Sequence, residues 1–167
     1  MSLILEGFMG SGKSAVGSML ALRLGLPFID TDSEIEKRQS SSIADIFDRF
    51  GEEAFRQMET SMLQGLLLAD TEAVISLGGG TPVRRANAPV IKSLGRVVYL
   101  RASAETLLKR LENGVEQRPM LRGHDLNERV RGLLESREER YLELADIVIT
   151  IADEDIPEIC DRIIKRL

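Results

Sequence analysis

Five short runs of apolar residues lie along the chain, and each is bounded by polar residues or glycine. The runs occupy residues 3–5, 26–29, 73–77, 97–100 and 147–149. They are continuous rather than alternating, and several are rich in valine and isoleucine, which is typical of strands covered on both faces of a parallel sheet. The pattern therefore predicts a parallel sheet of five strands.

Apolar residues at helical spacing lie between these runs. The stripes comprise Val16, Met19, Leu20 and Leu24 after the first run, Ala104, Leu107, Leu108 and Leu111 after the fourth, and Ile156, Ile159, Cys160, Ile163, Ile164 and Leu167 after the fifth. Strands that alternate with helices predict a doubly wound, three-layer α/β/α fold with right-handed crossovers. The place of Cys160 in a stripe indicates a core residue rather than a reactive thiol.

Two insertions interrupt the alternation. Helical patterns at residues 43–50 and 52–68 place more chain between the second and third strands than one crossover needs. Residues 113–125 form a polar segment with glycine and proline but no apolar stripe, and such segments often act as mobile covers. No repeat or linker divides the chain, so we expect one domain spanning residues 1–167.

The composition excludes several classes of protein. The chain has 22 Lys and Arg residues and 27 Asp and Glu residues, which give a net charge of −5. Nucleic-acid binders normally have a basic surface, so this charge argues against that class. No apolar run approaches the roughly 18 residues that span a membrane. The first residues show no basic region before an apolar core, so we expect no secretion signal. One cysteine and one histidine exclude an internal disulfide and the usual multi-ligand zinc site. We therefore expect a cytoplasmic protein that binds neither nucleic acid nor membrane.

A complete phosphate-binding motif follows the first strand. Residues 7–14 read Gly-Phe-Met-Gly-Ser-Gly-Lys-Ser and match G-x-x-x-x-G-K-[ST] between a predicted strand and a predicted helix. The backbone N–H groups of such a loop and the N-terminus of the following helix bind phosphate oxygens. The alternative interpretation is a glycine-rich turn that connects the strand to the helix and binds no ligand. We expect Lys13 to reach the β- and γ-phosphates and Ser14 to ligate Mg²⁺. The predicted nucleotide-binding residues of the loop are Gly10, Ser11, Gly12, Lys13, Ser14 and Ala15.

Two carboxylates follow the second strand. Asp30 and Asp32 lie at its carboxyl end, the edge at which open α/β sheets bind ligands. Asp30 is placed to support the metal ion, and Asp32 is placed to accept the proton of a substrate hydroxyl. The alternative is a capping box that begins a helix at Thr31 with Glu34, and both functions can coexist.

Cationic side chains occur on two of the helical patterns. Arg56 and Glu59 are three residues apart, and an exposed pair of this kind would contribute only about 0.2–0.5 kcal/mol. Arg137 falls on the apolar stripe of the helix after the polar segment, so its guanidinium points inward and needs an anion. That anion is either a ligand or a structural carboxylate.

Three glycines follow the third strand, and an arginine lies in the polar segment. Gly78, Gly79 and Gly80 either let a ligand approach backbone N–H groups closely or form a flexible turn. Arg118 either stabilises the charge that develops on a transferred phosphoryl group or is a solvated loop residue. Neither feature decides the function by itself.

Six segments taken together resemble the shikimate kinase family. They are GFMGSGKS, FIDTDSEIE, SIADIF followed by GEEAFRQME, SLGGGTPV, QRPML and SREERY, in the family's order over nearly the whole chain. The resemblance implies a nucleoside-monophosphate-kinase-like P-loop fold with a five-stranded parallel sheet, a substrate-binding subdomain at residues 31–61 and a lid at residues 112–125. It also implies a monomer that uses ATP and Mg²⁺ to phosphorylate the 3-hydroxyl of shikimate, on the route to chorismate and the aromatic amino acids.

The resemblance assigns roles to individual residues. Asp32 would bind the shikimate hydroxyls and help to deprotonate the 3-hydroxyl, and Arg56 and Arg137 would hold the carboxylate. The glycine triplet, centred on Gly79, would contribute backbone contacts, and Arg118 would close onto ATP with the lid.

Two features leave alternatives open. Arg110 would lie against the adenine, but the acidic loop at residues 150–155 departs from the family pattern and puts the base contacts in doubt. Two alternative functions also remain. The first is a sibling kinase, such as a gluconate kinase, which has a similar phosphate loop and size. The second is a nucleotide-binding protein that is catalytically silent.

Overall fold

The computed structural model describes residues 1–112, 120 and 125–167. Its strands are β1 (Ser2–Glu6), β2 (Phe28–Asp30), β3 (Val74–Ser76), β4 (Gly95–Ala102) and β5 (Ile147–Ile151). Its helices are α1 (Lys13–Leu24), α2 (Thr31–Gln39), α3 (Ile43–Phe50), α4 (Glu52–Ala69), α5 (Ala88–Leu94), α6 (Ala104–Leu111), α7 (Leu126–Leu144) and α8 (Ile156–Ile164). Two short 3₁₀ turns, Thr81–Val83 and Arg85–Asn87, connect β3 to α5.

The five strands form one parallel sheet in the order β2-β3-β1-β4-β5. The first strand is central, pairing Ile4 with Ile75 of β3 on one side and with Val97 of β4 on the other. Strands β2 and β3 lie on one side of β1, and β4 and β5 lie on the other. The loop after β1 is therefore at the point where the strand order changes direction, which is where open α/β sheets bind ligands. The prediction of a five-stranded parallel sheet is confirmed.

Both faces of the sheet are covered, as the continuous apolar runs predict. Along β1, Leu3 and Leu5 pack into one core with Val16 and Leu20 of α1, while Ile4 packs into a second core on the other face. Alternate side chains of a strand point to opposite faces, so a run that is apolar at every position fits a middle layer. The three-layer α/β/α prediction is therefore confirmed.

The end helices follow their predicted stripes with small differences. Cys160 is a buried core residue of α8, as predicted, and its thiol lies 3.7 Å from the carbonyl oxygen of Val16. Leu24, predicted to belong to the stripe of α1, is exposed, and Ala21 is buried instead. Leu24 is the last residue of the helix, directly before the left-handed Gly25, where the chain leaves the core.

Helices α2, α3 and α4 fill the predicted insertion between β2 and β3. They share a small core of their own, formed by Ile35, Ile46, Phe55 and Met62. This separate core holds the three helices together beside the carboxyl end of β2, next to the loop after β1. In the part of the chain that the structure describes, no helix is long and apolar enough to cross a membrane.

Candidate active site

The loop between β1 and α1 adopts a backbone that only glycine takes up readily. Gly7, Gly10 and Gly12 all have positive φ angles, and Gly12 caps the N-terminus of α1 in a left-handed conformation. The ammonium group of Lys13 donates to the carbonyl oxygens of Gly7 and Phe8 at 2.9 and 3.1 Å. Lys13 is therefore folded back over the loop, where the motif places a phosphate.

The carboxylate of Asp30 joins this loop to α2. Asp30, rather than Thr31, is the N-cap of α2, because one of its oxygens accepts from the backbone N–H of Ser33 at 3.1 Å. The helix begins at Thr31, as the alternative interpretation expects, but its capping box is wrong, because the Thr31 hydroxyl accepts the N–H of Gly78 at 3.1 Å. The other oxygen of Asp30 accepts from the hydroxyl of Ser14. The two predicted metal ligands, Ser14 and Asp30, are therefore in direct contact.

Asp32 lies in the first turn of α2 and points away from solvent. Its Oδ1 is buried without a hydrogen-bond partner among the described residues. Burial raises the pKa of Asp32 to about 7, and the carboxylates of Glu59 and Asp30 add to the rise against Lys13 and Arg56. A carboxyl group with a pKa near neutrality, and with one oxygen that no described residue occupies, is suited to exchanging a proton with a ligand.

Arg56 is fixed by carboxylates on its own helix. Its guanidinium donates to Glu59 at 2.8 Å and to Glu52 at 3.4 Å, and its side chain is 13% exposed. Glu59 is 2% exposed and also accepts the hydroxyl of Thr81 at 2.6 Å. The pair is therefore a buried, oriented contact rather than the weak surface pair considered from its spacing. The ring of Phe55 lies 5.4 Å from the Arg56 guanidinium carbon.

Arg137 lies on the inward face of α7, as the apolar stripe predicts. Its side chain is buried, with 5% of the residue exposed, and its Nη1 has no hydrogen-bond partner among the described residues. The ring of Phe8 lies 5.7 Å from its guanidinium carbon. A buried cation without a paired carboxylate at this nitrogen is costly, so the site is suited to an anionic ligand.

The three glycines after β3 each face one of these side chains. A Cβ on Gly78 would lie 2.5 Å from Oδ1 of Asp32, one on Gly79 would lie 3.5 Å from Nη1 of Arg137, and one on Gly80 would overlap the Arg56 guanidinium. Gly78 and Gly80 are thus needed to leave room for the side chains of Asp32 and Arg56, whereas a Cβ on Gly79 would be nearest to the backbone nitrogen of Met9, at 3.3 Å. The close approach seen here is by protein side chains, so the approach of a ligand to these glycines stays a prediction. The Gly78 N–H is already bonded to Thr31, so it is not among the donors left for a ligand.

One cavity of about 800 Å³ brings the predicted site residues together. Its wall includes Lys13, Ser14, Asp30, Asp32, Arg56, Glu59, the three glycines and Arg137. Met120, the one described residue within 113–124, also lines it, and its carbonyl oxygen accepts from Arg129 at 2.6 Å. The phosphate loop and the cationic and acidic side chains therefore share one space.

The remaining predicted residues lie beside this cavity or outside the described chain. Arg110 on α6 donates to the carbonyl oxygens of Gly10 at 3.4 Å and Ala152 at 3.2 Å, so it bridges the phosphate loop and the acidic loop after β5. Glu154 of that loop is tied to Arg162 at 2.9 Å. Ala15 is exposed in the first turn of α1. Arg118 and all of the predicted lid except residues 112, 120 and 125 lie outside the described residues.

Comparison with known proteins decides the family. A model of the family described as shikimate kinase matches residues 9–167. The chain belongs to the shikimate kinase family. A shikimate kinase from Dictyoglomus turgidum is 39% identical over 168 residues, covering 99% of this chain and 96% of that protein. The solved structure of shikimate kinase from Acinetobacter baumannii in complex with shikimate has a TM-score of 0.94 at 33% identity, and the match covers 99% of this chain and 91% of that one.

Membership of the shikimate kinase family makes this chain a kinase with ATP as its co-substrate. A gluconokinase from Sinorhizobium meliloti has a TM-score of 0.59 at 21% identity, and its match covers 99% of this chain and 94% of that one. That likeness is one of fold alone. The resemblance to the shikimate kinase family drawn from six sequence segments is confirmed.

Two contributors to this shikimate kinase site were not predicted from the sequence. The spacing of Glu59 and Arg56 alone does not show whether the pair is exposed, but Glu59 is a buried residue of the cavity wall that accepts from both Arg56 and Thr81. Tyr141 lies on the same apolar stripe of α7 as Arg137, a position typical of a core residue, but its hydroxyl donates to the carbonyl oxygen of Gly79. A carboxylate three residues from an inward arginine was the available signal for Glu59. No local pattern indicates the partner of Tyr141.

Proposed function

We propose that this chain transfers the γ-phosphoryl group of ATP to the 3-hydroxyl of shikimate, giving 3-phosphoshikimate and ADP, on the route to chorismate. The observation that carries the proposal is the shared cavity, in which Nη1 of Arg137 and Oδ1 of Asp32 adjoin a complete phosphate loop and have no hydrogen-bond partner in the part of the chain that the structure describes. A cyclic acid with a carboxylate and three hydroxyls has a group for each of them. The shikimate complex of the Acinetobacter baumannii enzyme supports the same substrate.

The substrate carboxylate is assigned to Arg137 and Arg56. Guanidinium groups bind carboxylates through parallel hydrogen bonds, and Arg137 has an Nη1 that no described residue occupies. The positive charge of Arg56 is already paired with Glu59. The remaining N–H groups of Arg56 therefore orient the substrate carboxylate and do not add an unpaired charge to the site. The backbones of Gly79 and Gly80 line the same cavity and complete this part of the site.

Asp32 is assigned as the general base. Its carboxylate accepts the proton of the 3-hydroxyl as the hydroxyl oxygen forms its bond to the γ-phosphorus. The bond from that phosphorus to the oxygen bridging the β- and γ-phosphates breaks, and ADP keeps the electron pair. A pKa of about 7 lets Asp32 be ionised before the step and hold a proton after it at neutral pH.

The nucleotide is assigned to the loop at residues 10–15 and to Lys13, with Arg110 beside it. Lys13 stabilises the negative charge of the phosphates, and the N–H groups at the start of α1, where the N-cap Gly12 makes no side-chain capping hydrogen bond, add to that effect. Arg118 and the lid at residues 112–125 are proposed to close over the phosphates and exclude water, which would otherwise compete as acceptor. The insertion at residues 31–61 is proposed as the shikimate-binding subdomain.

Ser14 and Asp30 fit a magnesium ion bound together with ATP. Among the described residues, no group of three or more His, Cys, Asp or Glu side chains could hold a metal by itself. Mg²⁺ commonly binds through one or two protein oxygens, phosphate oxygens and water, and the adjoining oxygens of Ser14 and Asp30 supply the protein part. When bound, the ion would neutralise charge on the phosphates.

Calorimetric titration followed by an ADP-release assay tests the proposal. Shikimate should bind to the purified protein, more tightly with a non-hydrolysable ATP analogue, and should drive ADP release in the presence of Mg²⁺ and ATP. Gluconate serves as the competing acceptor. Release of ADP with gluconate but not with shikimate, or binding of ATP without turnover of either acid, would contradict the proposal.

A further inference from the structure

Tyr141 joins α7 to the glycine triplet from outside the cavity. Its side chain is 0% exposed, and its hydroxyl donates to the carbonyl oxygen of Gly79. Burial raises the pKa of Tyr141 to about 12, against the lowering effect of Arg137, which lies one helical turn earlier beside the hydroxyl. The hydroxyl therefore stays protonated and donating at any pH at which the protein is assayed.

This hydrogen bond holds the part of the site with the greatest conformational freedom. Gly79 lies between two other glycines, and a glycine backbone has more accessible conformations than that of any other residue. The described chain contains no cis peptide, so anchoring the carbonyl of Gly79 directs the N–H of Gly80 to the opposite side. A single hydroxyl thus orients the peptide that lies between Arg137 and Arg56.

A second buried tyrosine supplies a comparison within the same cluster. The ring of Tyr99 lies 5.1 Å from that of Tyr141, and Tyr99 is also 0% exposed. Its hydroxyl, however, has no hydrogen-bond partner in the described chain. The two residues therefore share packing, but they differ in the contact to the glycine triplet.

We propose that Tyr141 is a positioning residue for the acceptor substrate, acting through the Gly79 carbonyl and through Arg137 to set the carboxylate-binding part of the cavity. The inference rests on the proposed function, since the affected substrate is shikimate. It assigns Tyr141 no contact with the substrate, because the side chain is fully buried beneath the glycine triplet.

Matched Tyr→Phe substitutions separate positioning from packing. Tyr141→Phe should raise the KM for shikimate about five- to tenfold, the scale of one lost buried hydrogen bond, with the KM for ATP and kcat within about twofold of wild type. Tyr99→Phe removes the same atom from the neighbouring ring and should leave all three constants unchanged. Equal rises in both KM values for Tyr141→Phe, or a lower melting temperature with an unchanged KM for shikimate, would overturn the proposal.

A spectroscopic readout keeps the test independent of the folding of Tyr141→Phe. The chain has 2 tyrosines, so 3-fluorotyrosine incorporated into Tyr99→Phe protein gives a single ¹⁹F resonance from Tyr141. Saturating shikimate should shift this resonance, whereas an ATP analogue alone should not. A resonance that shikimate leaves in place would overturn the positioning role.

The wild-type protein distinguishes the two proposals. If it turns over shikimate and Tyr141→Phe keeps a normal KM for shikimate, only the role of Tyr141 is overturned. If the wild type does not turn over shikimate at all, the proposed function is overturned, and the inference about Tyr141 falls with it.

Discussion

A Cβ on Gly80 would overlap the guanidinium group of Arg56. Gly80 itself has φ −90° and ψ −14°, a conformation that any L-residue adopts without strain. The requirement for glycine at this position is therefore one of space and not of backbone conformation. Arg56 can occupy its position only because Gly80 has no side chain.

Gly80→Ala should displace Arg56 without unfolding the chain. We expect the KM for shikimate to rise at least about tenfold, because Arg56 must leave its place in the cavity wall, with a smaller change in the KM for ATP. Gly65→Ala is the control, since a Cβ there meets nothing within 4 Å in helix α4, and it should stabilise the protein by about 0.5–1 kcal/mol. Steady-state kinetics and thermal unfolding measure both; a Gly80→Ala protein with normal kinetics would show that Arg56 is not needed where it lies.

Contiguous patterns predicted much of this molecule, and contacts between distant segments account for what was missed. The phosphate loop and the five strands were found because each lies within a short stretch of chain. The direction of Glu59 depends on Thr81, and that of Tyr141 depends on Gly79, residues 22 and 62 positions away. Such pairings arise only when the sheet brings helices α4 and α7 to the end of β3.

The cap of α2 shows a second kind of limit. Thr31 and Asp30 are both good N-cap residues, so local propensity alone does not choose between them. The choice follows from tertiary contacts, because the Thr31 hydroxyl accepts the N–H of Gly78 and Asp30 is left to accept from Ser33.

The ionisation of Asp32 should control the pH dependence of the reaction. Because its pKa is raised to about 7 and the base must be ionised, kcat/KM for shikimate should rise with pH and level off above about 7. Asp32→Asn should retain ATP binding, lose at least about a hundredfold in turnover and lose this pH dependence. Assays of ADP release across the pH range check all three, and an Asp32→Asn profile parallel to that of the wild type would exclude the assignment.

Glu59→Gln should move that profile. The Glu59 carboxylate is the strongest charged contributor to the raised pKa of Asp32, so its removal lowers that pKa. The rise of kcat/KM should then begin at lower pH than in the wild type. Thr81 and Arg56 donate to different oxygens of Glu59, Oε1 and Oε2. The amide oxygen of Gln can still accept from Arg56 while its NH₂ group donates to the Thr81 hydroxyl, so the substitution removes the charge with little change of shape. An unmoved profile would mean that the charge of Glu59 does not contribute to the raised pKa of Asp32.

Arg137→Met should separate stability from binding. The substitution removes a buried cation whose Nη1 has no described partner, so the ligand-free protein should melt at the same or a higher temperature. Shikimate affinity should fall roughly 10- to 100-fold, with ATP affinity nearly unchanged. Arg56→Met is the contrast, because it leaves the buried carboxylate of Glu59 without its cation and should lower the melting temperature. Equal loss of shikimate and ATP affinity in Arg137→Met would contradict a carboxylate-binding role.

Glu6 should make the stability of the fold depend on pH in the direction opposite to that of a salt-bridged carboxylate. It is the last residue of β1, is 0% exposed, pairs with Tyr99 in the sheet, and both its carboxylate oxygens lack partners among the described residues. Burial raises its pKa from 4.5 to about 8, against the nearby charges of Lys92 and Lys13.

Between pH 4.5 and 8 the folded chain therefore keeps a proton that the unfolded chain has released, and the free energy of unfolding falls as the pH rises through this window. At about 1.4 kcal/mol per pKa unit, the loss by pH 8 is on the order of a few kcal/mol. Glu6→Gln cannot ionise, so it should match the wild type near pH 5 and exceed it in urea stability near pH 9. Glu135→Gln removes a charge from the exposed face of α7 and serves as the surface control. Wild-type and Glu6→Gln stability curves that run parallel from pH 5 to pH 9 would show that the pKa of Glu6 is not raised in the folded protein.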